Sequence, residues 1–318
     1  MPLTLVEAAK LSEDDLQRGV LETFVQTSSV LDRIPFLTIQ GNAYAYNEEA
    51  TLPGVQFRSV NEGYSESTGT VNPKSERLVI MGGDADVDRF IVQTRGNLND
   101  QRALQTRMKV KAASYFFQDK FINGDTAVDT KGFDGLKKRL TGGQVISAGT
   151  NGIPIVGNGS TDPHVFMDKL DELVAAVPGL TGSNGALYTN SKVIAKMKSA
   201  ARRIGGYEMV QEALTGKRVA TWNGIPLLDI GQTAAGADII PQTETQGSSS
   251  VATSIYAVKF GDDEGDQAVT GLTNGGVDVR DLGELDTMPV YRTRIEFYTG
   301  LAVFGGKGAA RLTGVLNA

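Results

Sequence analysis

The chain has 318 residues, 40% hydrophobic and 21% charged, which is ordinary globular usage and excludes wholesale disorder. It has no cysteine and a single histidine, His164, so a disulfide framework, a thiolate nucleophile, a cysteine zinc site and a histidine metal cluster are all excluded. Against 31 basic residues stand 37 acidic ones, a formal charge of −6, which argues against a protein that grips nucleic acid through its phosphates.

The first residues, MPLTLVEAAKLSEDDLQRG, lack the basic and apolar regions of a signal peptide, and no run of about 18 apolar residues occurs anywhere. A soluble intracellular protein is the expectation. Ser12 caps a predicted helix from Glu13, with Asp14 and Asp15 in its first turn. Leu16, Val20, Leu21 and Phe24 make a narrow apolar stripe, so residues 1 to 34 read as an arm that packs on something else.

From residue 36 to 95 the pattern turns to strands. AYAYNEEATLPGVQFRSV and TVNPKSERLVIMGG flank the polar turn cluster NEGYSESTG, and together they predict an extended hairpin. It carries few large apolar side chains. Such a ribbon is marginal in water by itself and must lie on another surface.

NLNDQRALQTRMKVKAASYFFQDKFIN, residues 97 to 123, predicts the longest helix, capped by Asn97 or Asn99 and stopped at Gly124. Its predicted buried stripe is Leu104, Met108, Ala112, Tyr115 and Phe116. A rise of 1.5 Å per residue makes it roughly 40 Å long, which suits a spine. Asp162-Pro163 opens a second helix with Phe166, Leu170, Leu173, Val174 and Val177 inward, stopped by Pro178-Gly179. The strand GALYT follows. A helix capped at Asn190 then turns Val193, Ile194, Met197 and Ala201 inward and ends near Gly205-Gly206. WNGIPLLDI reads as a turn into a strand, Thr233 to Ser250 as a long exposed loop, and SIYAVKFG as a strand. The end is strongly β: VDVRDLGEL, PVYRTRIEFYTGLAVF and AARLTGVLN. There Tyr291, Thr293, Ile295 and Phe297 alternate with Arg292, Arg294 and Glu296, the mark of a half-buried strand.

The chemical motifs fail one by one. Asp84, Asp86 and Asp88 resemble the start of a calcium loop, but Arg89 and Arg95 stand where glycine and glutamate are required, so a solvated strand edge is the reading. The acidic turn GDDEGDQ from Gly261 reads as a surface loop. Gly216-Lys217 and Gly306-Lys307 lack the rest of a phosphate loop and read as turns. His164 in the first turn of a helix has no serine elbow to serve, and any Ser-His-Asp triad would have to run through it. Tyr115, Phe116, Phe117 and Phe121 read as core. The basic stretches Lys137-Lys138-Arg139 and Arg202-Arg203 read as solvated. No catalytic, cofactor-binding or metal residue is assigned, no cofactor is expected, and nothing argues for an enzyme.

The ordered set of elements carries a resemblance. An arm, a long hairpin, the spine NLNDQRALQTRMKVKAASYFFQDKFINGD, the segment LYTNSKVIAKMKSAARRIGGY, the turn NGIPLLD and the closing strands VYRTRIEFYTGLAVFGGKGAARLTGV together resemble the major capsid proteins of tailed bacteriophages with the HK97 fold. The resemblance covers essentially the whole chain. It implies an α+β, HK97-like capsid fold with an N-terminal arm (1–36), an extended β-hairpin E-loop (37–95) lying across a neighbouring subunit, a P-domain with the spine helix and strands (96–178 and 273–318), and an A-domain (179–272). Thr233 to Ser250 would be an axial or exterior loop. The implied function is a major head protein that self-assembles as pentamers and hexamers into an icosahedral shell around double-stranded DNA, held without sequence-specific binding. The implied location is the virion, after assembly in the host bacterial cytoplasm.

The implied partners are further copies of itself, a scaffolding protein, a portal protein and a cement or decoration protein, with no membrane. Many relatives begin with a long charged scaffolding segment that is later cleaved. Here the arm begins almost at Met1, so either a separate scaffolding protein serves or the segment has been removed. Some relatives crosslink subunits through a lysine–asparagine isopeptide bond. Lys74 is the only lysine in residues 37–95 and reads as an ordinary salt-bridge or solvent lysine, so non-covalent locking or a cement protein is expected instead. An acidic chain suits a DNA container whose contents must leave, and a neutral or negative inner surface is expected. The alternatives are an encapsulin-type nanocompartment shell, with the same fold and a protein cargo, and a soluble α+β enzyme or ligand-binding protein.

Overall fold

The closing strands build the centre of the molecule. In a computed structural model, which describes residues 24, 28–94, 98–157, 163–204, 209–211 and 218–317, Thr293, Ile295 and Phe297 are buried, as their alternation predicts. In chain order the strands are β1 (Phe36–Thr38), β2 (Ala43–Thr51), β3 (Thr70–Arg77), β4 (Val79–Asp88), β5 (Val145–Ser147), β6 (Ile153–Pro154), β7 (Gly185–Thr189), β8 (Met209–Gln211), β9 (Arg218–Trp222), β10 (Ile225–Asp229), β11 (Glu244–Gln246), β12 (Ser249–Lys259), β13 (Val269–Glu284), β14 (Val290–Val303) and β15 (Ala309–Leu316). The helices are α1 (Arg89–Thr94), α2 (Leu98–Asn123), α3 (Leu136–Arg139), α4 (Pro163–Ala175) and α5 (Ser191–Ile204).

Two sheets share the core. One has four strands in the order β1-β13-β14-β4, with β1 parallel to β13 and the other pairs antiparallel. The other runs β5-β15-β12-β7-β10-β9-β8, with β11 and β6 added alongside. β7 is buried at all five residues, as a strand at the centre of such a sheet must be. Between β9 and β10, Asn223 and Gly224 both have positive φ, 49° and 77°, the requirement of a two-residue hairpin turn that Asn-Gly meets. α4 buries Phe166, Leu170, Leu173 and the following Val177, while Asn190 Oδ1 accepts the Val193 N–H at 3.0 Å and so caps α5.

α2 forms where the sequence places it, but it is turned about its axis. Its buried face is Thr106, Val110, Ser114, Phe117, Phe121 and Ile122. Leu104, Met108 and Phe116 of the predicted stripe are exposed instead. The helix has two apolar faces, and the sheet takes the one whose aromatic side chains meet Phe36 and Phe297. The predicted helix from Glu13 lies outside the described residues except Phe24, which is helical and buried. Asp162, Asn97 and the pair Gly216-Lys217 are likewise outside them.

The segment Thr233 to Ser250 is not one exposed loop. Ile239 and Ile240 are buried, and β11 turns through Gly247, at φ 58°, to pair with β12. Two consecutive isoleucines in a polar stretch were the signal of an inward anchor.

Candidate assembly interface

β2 and β3 form a sheet of their own, paired in the register Tyr44↔Glu76, Tyr46↔Lys74 and Glu48↔Asn72. The return arm predicted through Gly83 breaks at Leu78. β4 pairs with β14, so the hairpin ends where the four-stranded sheet begins. At its root Tyr46 is buried edge-on against Phe304, ring centroids 5.0 Å apart, over Ile39, Leu272 and Ala302. That burial pushes the Tyr46 phenol up to about 12. Tyr44 donates to Glu264 at 2.6 Å, and this bond to the carboxylate, followed by burial, likewise pushes its phenol up to about 12.

Ion pairs fasten the root to the body. Arg139 grips Glu76 with both guanidinium nitrogens, the second bond measuring 2.7 Å, and Arg77 donates to the Thr130 carbonyl at 2.9 Å. The stretch Lys137-Lys138-Arg139 is therefore not simply solvated: Lys138 also lies 2.6 Å from Asp125 and 3.0 Å from Asp134. Lys74 pairs with Glu48 across the hairpin at 2.6 Å.

Beyond Thr51 this anchoring stops. The expected strand through Val60 ends at Leu52-Pro53, where proline has no N–H to give a ladder. Residues 52–69 are exposed throughout and carry Leu52, Val55, Phe57, Val60 and Tyr64, with Phe57 as open as in an extended chain. A small internal set of bonds shapes the tip: Ser67 to the Gly54 carbonyl at 3.0 Å, and the Arg58 guanidinium 5.2 Å from the Tyr64 ring centre. Full burial of one Val, Leu or Phe side chain is worth roughly 1.5–3 kcal/mol, so five of them held in water on an arm define a contact surface awaiting an acceptor. The outward face of α2, with Leu104, Met108 and Phe116, is a second apolar surface that no described residue of this chain buries.

Two of the three acids on β4 meet arginines, while Asp88 accepts the Phe90 N–H at 2.7 Å. Arg294 donates to Asp84 through Nε at 2.8 Å and Nη2 at 3.0 Å, and Arg292 grips Asp86 at 2.7 and 2.6 Å. β4 and β14 place these pairs in register, Asp84↔Arg294 and Asp86↔Arg292, so alternation on two strands writes a ladder across the sheet face. The Arg294 bond holds the Asp84 carboxyl below its usual value of 3.8, and the Arg292 bond does the same for Asp86. A depressed folded pKa contributes stability above the unfolded value, and that contribution is lost as pH falls through it toward the folded one. The ladder is therefore expected to weaken below about pH 4. Urea unfolding of wild type and Asp84→Asn/Asp86→Asn at pH 3 and pH 7 checks this: the gap between them should narrow at pH 3.

His164 opens α4 on the surface, and the Gly261 turn supplies Glu264 to Tyr44. Gly306 has φ 66°, a turn glycine next to Lys307. Among the described residues no group of three His, Asp or Glu side chains could hold a metal ion, and no helix is long and apolar enough to cross a membrane.

The model of the family described as major capsid protein GP7 matches residues 12–163, which hold the hairpin and the spine helix. No curated protein matches. Among solved structures, the SrpI encapsulin of Synechococcus elongatus PCC 7942 is similar at TM-score 0.66 and 19% identity over 91% of this chain and 88% of that one. The capsid of a native GTA particle is similar at 0.65 and 14% over 91% and 90%. A structure from Mycobacterium phage Cain is similar at 0.57 and 14% over 99% and 98%. The fold shown by this likeness is the HK97 fold. Within the chain, the likeness to major capsid protein GP7 covers just under half of the residues and includes the hairpin and the spine helix.

Proposed function

We propose that the chain is the major head protein of a tailed phage, assembling as pentamers and hexamers into an icosahedral shell that encloses double-stranded DNA. The observation that carries the assembly reading is the anchored hairpin whose tip holds five large apolar side chains in solvent. A fold needs no such arm for itself, whereas a closed shell gains from every copy of it. Residues 1–36 serve as the N-terminal arm, 37–95 as the E-loop, 96–178 with 273–318 as the P-domain, and 179–272 as the A-domain. The role is structural, without catalysis. Assembly in the host cytoplasm would draw on a scaffolding protein, a portal and, with Lys74 engaged by Glu48, a cement protein or non-covalent locking.

The encapsulin reading has the SrpI likeness in its favour, since 0.66 and 0.65 do not separate the two kinds of shell. The match to the capsid family over residues 12–163 favours the phage head. Sedimentation of the purified protein with negative-stain imaging tests the proposal. Closed shells that protect DNA from nuclease are expected. Shells filled with protein would turn the reading to an encapsulin, and monomer that persists with a co-expressed scaffold would end it.

A further inference from the structure

α5 reads SKVIAKMKSAARRI, and these 14 residues hold five of the chain's 31 cations and none of its 37 anions. Its core face is Val193, Met197 and Ala200. By helical period Lys192 and Lys196 form one row along the other side, and Lys198 and Arg202 a second. Among the described residues, Asp238 is the only acid within ion-pair distance, 3.6 Å from Lys192. Lys196 and Lys198 are half-buried and Arg202 is exposed, its Nε donating to the Lys198 carbonyl at 3.3 Å.

Part of this arrangement works against the helix that carries it. Like charges four residues apart repel, and Lys192 in the first turn opposes the helix dipole, although Arg202 in the last turn complements it. An ordinary solvent face alternates its charges. What the strip lacks also matters. A protein-docking surface has an apolar or aromatic centre, as the hairpin tip of this same molecule does. Among the described side chains of α5, no large hydrophobic residue is exposed. A row of cations without an apolar centre fits a polyelectrolyte of regular charge. From Lys192 to Arg203 the helix rises about 16 Å, which spans several phosphates of one strand at 3.4 Å each.

We propose that the basic strip of α5 is a sequence-independent contact for the phosphate backbone of double-stranded DNA. The inference rests on the shell reading: one helix per subunit supplies a local cationic track within an acidic chain, which faces the enclosed DNA if the proposal holds.

Anisotropy titration of dissociated full-length subunits with a fluorescent duplex of random sequence tests this. Four neutralised phosphates give a slope of log K against log salt of about −3.6, hence roughly a hundredfold loss of affinity between 50 and 200 mM salt. Lys196→Glu with Arg202→Glu should reduce the slope by about two and leave shell closure unchanged. The neutral pair Lys196→Gln and Arg202→Gln keeps the test valid where charge reversal prevents folding. Wild-type binding by both variants, a slope near zero, or tighter binding of polyglutamate than of duplex would overturn the proposal. Dissociated wild-type subunits that bind no duplex but still close into shells would reject the strip alone, whereas absence of shells would reject the shell reading.

Discussion

Replacing Val55 and Phe57 together by serine is expected to leave the subunit folded and to abolish shell closure. The two side chains are 97% and 107% exposed, so the free subunit loses no packing, and its stability should stay within about 0.5 kcal/mol of wild type. Their value appears only on a neighbour. There, burial of each is worth roughly 1.5–3 kcal/mol, so one hairpin loses roughly 3–6 kcal/mol of contact. At 1.4 kcal/mol per decade this weakens each contact by about two to four orders of magnitude. A closed shell repeats the contact in every subunit, which turns a moderate defect in one contact into failure to close. Thermal unfolding by circular dichroism and sedimentation velocity check the two halves separately. Unchanged melting with slow-sedimenting protein is expected. Normal shells would show that the tip is no assembly element, and a collapsed melting transition would show that it belongs to the fold.

The same two apolar surfaces explain what the sequence could and could not reveal. Periodicity identifies α2, α4 and β14 because each buries a face on its own sheet, and burial leaves a pattern of 3.6 or 2 in the residues. It does not say which apolar face meets its own chain. On α2 the row through Leu104 and Met108 is as regular as the row through Val110, Ser114 and Phe121, and only the latter is buried here. The tip of the hairpin misled differently: Val55 and Phe57 keep the alternation of a strand, but Pro53 ends the ladder before them and leaves both in solvent. Pairs distant in the chain left no local trace. Arg139 and Glu76 stand 63 residues apart, and nothing near either one names the other. The ladder on β4 was half visible, as three alternating acids, but its meaning needed the partner strand 206 residues away.

Phe297→Ala should instead remove stability first and assembly only as a consequence. The side chain is 1% exposed, in the middle of β14 between Val277 of β13 and Met81 of β4. Its ring lies 5.6 Å from Phe24 at 76°, 5.6 Å from Phe36 and 6.2 Å from Phe117. Phe24 comes from the N-terminal segment, Phe36 from β1 twelve residues later and Phe117 from the spine helix, so one ring ties the closing strands to the start of the chain and to the spine. Truncation of a buried Phe to Ala costs about 3–5 kcal/mol through lost transfer energy and the cavity left behind. The edge-on contacts add about 0.5–1.5 kcal/mol each. That is a large share of a typical total of about 5–15 kcal/mol. The melting temperature of the unassembled subunit should fall by on the order of 10 °C, given the usual 2–4 °C per kcal/mol for a chain near this size. Phe297→Leu, which leaves a smaller cavity, should recover most of the loss. Calorimetry on dissociated subunits reads both. If Phe297→Ala melted like wild type yet failed to close shells, the aromatic cluster would be an assembly element and not a core. The two variants thus separate the surfaces that make the subunit from those that make the shell: one loses closure at constant melting temperature, the other loses closure because the subunit no longer holds its arm, sheet and spine together.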